Sequence, residues 1–96
     1  VIGVALAARA QVDHLTGHTR KAERRYEEAL ALLRVAGEKR LQALVMLGLA
    51  DLHAERGRPM RALSWYGEAL QIQRQVGDQH AQAGLLDAIA TLEAFL

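Results

Sequence analysis

Residues 49–70 read LADLHAERGRPMRALSWYGEAL, and this stretch decides the fold. Leu49, Ala50 and Leu52, then Ala62, Leu63, Tyr66, Ala69 and Leu70, recur three and four residues apart, the spacing that lines one face of a helix. Gly57 separates the two sets. A glycine just past the last apolar position ends a helix well, because it enters the left-handed region without the steric penalty of a β-carbon. Pro59 suits the first turn of the next helix, where its missing N–H is not needed. The stretch therefore predicts two helices joined by a turn too short for anything but antiparallel neighbours.

The same pattern returns forty residues away on either side. Ala10 pairs with Ala50, Gly17 with Gly57, Ala22 with Ala62, Tyr26 with Tyr66, Glu28 with Glu68, Ala29 with Ala69, Leu30 with Leu70, Arg34 with Arg74 and Gly37 with Gly77. A third copy starts with Gln42, Ala43, Ala50, Leu52 and Ala54 matched by Gln82, Ala83, Ala90, Leu92 and Ala94. It stops after one helix. A fixed period of this length marks units that bury their faces only by stacking on neighbours. The reading divides the chain into one domain with repeat one at 1–40, repeat two at 41–80 and a partial third repeat at 81–96. Helices are expected near 1–16, 19–36, 39–56, 59–76 and 79–95, with Asp78 capping the last. No strand-like alternation occurs.

Bulk properties agree with this. The chain has 96 residues, enough for one modest core, and is 51% hydrophobic and 24% charged, which excludes a disordered or fibrous class. Twelve Lys and Arg against eleven Asp and Glu give a net charge of +1, so no broad field draws nucleic acid or an anionic membrane. Cysteine is absent, which removes disulfides and thiolate metal sites and fits a cytoplasmic location. The longest apolar run, Val1 to Ala8, falls far short of the roughly 20 residues of a membrane span. It lacks the basic leading region of a signal peptide. Both ends are expected to be cut from a longer helical protein.

Residue type and spacing in Leu49-Ala50, Gly57, Ala62, Tyr66 and Ala69-Leu70 resemble the tetratricopeptide repeat family, as do Gly17, Ala22, Tyr26 and Ala29-Leu30 in the first unit. Arg9 stands where the second unit has Leu49, His53 where the family often has an aromatic, and Arg74 where it often has Pro. The forty-residue period is longer than the family's usual one. Each second helix is extended by residues 31–38 or 71–78. That long form is similar to repeats in bacterial multidomain signalling ATPases, in transcriptional regulators of the maltose-activator type and in kinesin light chain. The resemblance implies an all-α, right-handed superhelix of about five antiparallel helices. It also implies a concave groove lined by Ala7, Gln11 and His14, then Leu47, Asp51 and Glu55, then Asp87 and Thr91.

Asp51, Glu55 and Asp87 make that surface mildly acidic, so its expected occupant is a basic or mixed peptide, a small effector or a neighbouring domain. The plainer alternative is a merely solvated face. His14 and His18 stand four apart and could face one metal, but Gly17 should break the helix between them, and loop histidines are the commoner meaning. His53 is expected to be packed between helices, because no Ser, Cys or carboxylate is placed to relay with it. Arg20, Lys21, Arg24 and Arg25 read as an exposed helix face pairing with Glu27 and Glu28 rather than a phosphate patch. Trp65 reads as packing. No phosphate loop, nucleophile elbow or paired-carboxylate motif is present, so the expectation is a non-catalytic, cofactor-free interaction or effector-sensing module of a regulator. The alternative is self-association through apolar ends, Val1, Ile2, Val4 and Leu6 at one and Leu85, Leu86, Ile89, Leu92, Phe95 and Leu96 at the other.

Overall fold

The computed structural model describes residues 2–96, which form five helices: α1 (Ile2–Leu15), α2 (Thr19–Ala36), α3 (Lys39–Glu55), α4 (Pro59–Val76) and α5 (Gln79–Glu93). There is no strand among the described residues. The helices follow the expected segments, with ends displaced by no more than two residues; Val1 lies outside the described residues.

Each turn is built the same way. Gly17, Gly37, Gly57 and Gly77 all have positive φ, between 72° and 86°. At each, the glycine N–H and the next N–H turn back onto the helix just ended: Gly37 N to Arg34 O and Glu38 N to Leu33 O, repeated as Gly77 N to Arg74 O and Asp78 N to Gln73 O. This double hydrogen bond satisfies carbonyls that the helix end would leave bare. Pro59 opens α4, and the Asp78 carboxylate accepts from Ala81 N at 3.0 Å, capping α5.

The forty-residue period is also a packing period. Ala10 and Ala50, Ala22 and Ala62, and Ala29 and Ala69 are all wholly buried, with Tyr26 and Tyr66 nearly so. Alanines at these places let helix axes approach, and the tyrosines fill the space between. A polar device repeats as well. Gln42 Nε2 donates to Leu33 O at 3.2 Å, and Gln82 Nε2 to Gln73 O at 3.3 Å, so the same carbonyl that takes the turn N–H also holds the next helix.

Successive helices pack on one another, most extensively α1 with α2 and α3 with α4. Among the described residues, α1 and α3 are the sole non-consecutive pair whose backbones meet, and α5 rests on α4 alone. The chain therefore does not close into a bundle. The third copy shows the consequence: Ala83 and Ala90 are exposed, whereas Ala43 and Ala50 are wholly buried in α3, which three helices enclose.

The expected apolar ends are only partly bare. Ile2 and Val4 are exposed at one end, and Leu86, Phe95 and Leu96 at the other, but Leu85 is core, and Leu6, Ile89 and Leu92 pack against the core. No described helix is long and apolar enough to cross a membrane.

Candidate binding groove

Where α1 and α3 come together, with α2 behind them, they enclose a cavity of about 690 Å³. Its walls are mostly apolar: Val4, Ala7 and Ala8 from α1, Leu41, Leu44 and Leu47 from α3, and Tyr26 and Leu33 from α2. Gln11, His14, Asp51 and Glu55 gather at the other end. None of the described lining residues is Lys or Arg.

Six of the eight expected groove residues line this cavity: Ala7, Gln11, His14, Leu47, Asp51 and Glu55. Asp87 and Thr91 do not. They lie exposed on α5, whose backbone does not meet α3, and Thr91 Oγ1 donates to the Asp87 carbonyl of its own helix at 2.9 Å. Leu44 is 59% exposed and borders the cavity.

Close approach of α2 depends on Gly48. An ideal β-carbon there would stand 2.6 Å from Tyr26 Cζ and 2.8 Å from its hydroxyl, so only glycine leaves the ring its place against α3. Tyr26 is 5% exposed and lines the cavity, yet among the described residues its hydroxyl has no hydrogen-bond partner. Its counterpart Tyr66 donates to the Asp51 carboxylate. Burial pushes both phenols above the ordinary value of 10.0; for Tyr26 the Asp51 and Glu55 charges add to this, and for Tyr66 the hydrogen bond to Asp51 comes next.

At the polar end, His14 Nε2 lies 2.5 Å from Glu55 Oε2, joining α1 to α3 across the groove. No spacing within one helix signals this pairing, since the partners are forty-one residues apart. His14 and His18 do not converge: Gly17 parts them, and His18 Nδ1 lies 3.0 Å from Thr16 Oγ1. No group of three potential metal ligands gathers among the described residues.

The charges of α2 behave differently from the expectation of pairs within one helix. Arg25 bonds Asp13 of α1, Arg34 lies 3.6 Å from Glu68 of α4, and Glu23 receives Arg56 at 3.3 Å and His53 at 3.6 Å, both from the α3 side. Side chains three or four apart could have paired locally, but short turns bring oppositely charged neighbours from the next helix within closer reach. His53 is packed between helices as expected, 3% exposed, with Nδ1 unpartnered. Burial lowers its pKa, Glu23 opposes that shift, and Arg58, Arg61 and Arg56 reinforce it. Trp65 packs against the core.

Tyr26, Gly48, Leu41 and Leu44 are groove residues that sequence reasoning missed. Tyr26 carried a signal, as an aromatic repeated at forty residues. Compared with known proteins, the chain matches no protein-family model and no curated protein.

Proposed function

We propose that this chain is a tetratricopeptide-like interaction module, stacked as a right-handed superhelix, that holds a protein segment in the groove between α1 and α3. The observation that carries this reading is the cavity of about 690 Å³, within the size range of ligand pockets, with apolar walls and a few polar groups at one end. The recurring Ala and Tyr positions, buried alike in both full units, and the positive-φ glycine turns between them support the stacked arrangement. The described lining residues include no Ser, Thr or Cys, and the mostly apolar wall favours the binding reading. The long-repeat resemblance favours a place in a bacterial transcriptional regulator or signalling protein, where the occupant is a peptide, an effector or a neighbouring domain.

Backbone amide shifts on titration with candidate segments test the reading. Perturbations confined to the walls, at Ala7, Leu47, Gly48 and Asp51, are expected. Saturable binding that leaves those amides unmoved would refute it.

Exposed apolar side chains favour a second reading, self-association. Ile2, Val12 and Leu15 on α1 are 59–78% exposed, and Leu86, Phe95 and Leu96 at the far end are 48–83% exposed. Light scattering over a concentration range decides it: a constant monomer mass removes this reading and leaves the first intact.

A further inference from the structure

The groove has two chemically different ends. Leu41 and Leu44 are at one, while Asp51 and Glu55, one helical turn apart, are at the other with no described cation among the lining residues. Both carboxylates already have partners, a tyrosine hydroxyl for Asp51 and an imidazole for Glu55, and neither partner is Lys or Arg. Between them and the apolar wall sits Tyr26, 95% buried by its 5% exposure, with a hydroxyl that no described protein group engages. The ring is buried, but its hydroxyl is not among the wholly enclosed atoms, so it opens on the cavity where an incoming group can reach it.

Resting on the groove reading above, we infer that the occupant is an extended peptide bearing a large apolar side chain and, four residues away, a Lys or Arg. The cation lies against Asp51, Glu55 and the Tyr26 hydroxyl oxygen.

Three observations shape this occupant. Charge is the first: an ammonium or guanidinium donates to all three oxygens at once, and charge-assisted bonds are the strong ones. Extended form is the second. The His14–Glu55 contact joins α1 and α3 across the groove and narrows it at that end, which favours a thin extended chain over a helix about 10 Å wide. Spacing is the third. From Leu44 to midway between Asp51 and Glu55 is nine residues of α3, about 13 Å at ~1.5 Å per residue. An extended chain covers that length in four residues of about 3.3 Å, with the two side chains on one face.

The test titrates the whole chain with an acetylated, amidated probe, Leu-Thr-Thr-Thr-Lys, whose β-branched spacer favours extension. Parallel titrations use the same probe with norleucine or acetyl-lysine in place of Lys, each followed by amide shifts. Expected are shifts at Gly48, Asp51 and Glu55, with the Lys probe binding about tenfold tighter than either neutral probe. D51N, which keeps an acceptor for Tyr66, should erase most of that preference while the spectrum stays dispersed. Equal binding of the three probes overturns the inference but spares the groove, because the walls would still respond. No response of the wall amides to any probe at millimolar concentration brings down the groove reading itself. Shifts confined to α5 also overturn the inference.

Discussion

Replacing Gly48 with alanine sets two effects of known size against each other. Alanine favours a helix interior over glycine by about 1 kcal/mol. Against that, the new methyl would sit 2.6 Å from Tyr26 Cζ and 2.8 Å from Cε1, when carbon atoms rest at about 3.5–4.0 Å. The ring must retreat by roughly 1 Å, and such overpacking costs about 1–3 kcal/mol. The balance is a net loss of about 1 kcal/mol for Gly48→Ala. Gly67 supplies the control, since it is also helical and a β-carbon there meets nothing within 4 Å. Gly67→Ala should therefore gain about 0.5–1 kcal/mol. For a domain of this size each kcal/mol moves Tm by about 4–8 °C, so the two variants should melt well apart, on opposite sides of the parent. Urea unfolding followed by circular dichroism measures the same difference. A cycle with Tyr26→Ala isolates the cause: on that background Gly48→Ala should turn stabilising. If Gly48→Ala and Gly67→Ala stabilise equally, the claim that Gly48 makes room for Tyr26 is refuted.

Gln73→Leu should stabilise the fold by about 1 kcal/mol or more in urea, because Gln73 Oε1 is buried without a partner and the equivalent Leu33 is wholly apolar. Acid should weaken the fold through His53. Its folded pKa lies below the ordinary 6.5, so its contribution is intact above that value and is lost as pH falls further, when the unfolded chain takes up the proton. His53→Leu should flatten the stability profile on that side, and an unchanged slope would sink the assignment. Alkali acts through Tyr66 in the opposite sense: its phenol is raised above 10.0, so stability holds below that pH and falls as the unfolded chain ionises first. Spectrophotometric titration of Tyr66→Phe should lose a late-ionising phenol, and the variant should be less stable at neutral pH by about 1 kcal/mol.

The helices were legible because their punctuation is local. Glycine at four equally spaced turns, proline at one N-terminus and alanines at helical spacing act within a few residues of themselves. Repetition made the core legible too, since Tyr26 and Tyr66, forty residues apart, are both buried. The groove was only partly readable. Its positions came from the family resemblance, and carrying them on to Asp87 and Thr91 assumed that α5 approaches α3 as α3 approaches α1. Pairings such as His14 with Glu55 and Glu23 with His53 depend on how far one helix slides past another. No spacing within a single helix encodes that displacement.

The solitary seat of α5 on α4 has a consequence for how the molecule loosens. An element held on one side opens with less cost than one enclosed on three, so fraying should begin there, and amide exchange should be fastest along 81–92. The cavity draws every one of its described walls from α1, α2 and α3. Local melting at the far end therefore leaves the cavity standing, and the part of the chain that breathes most is insulated from the surface proposed to bind.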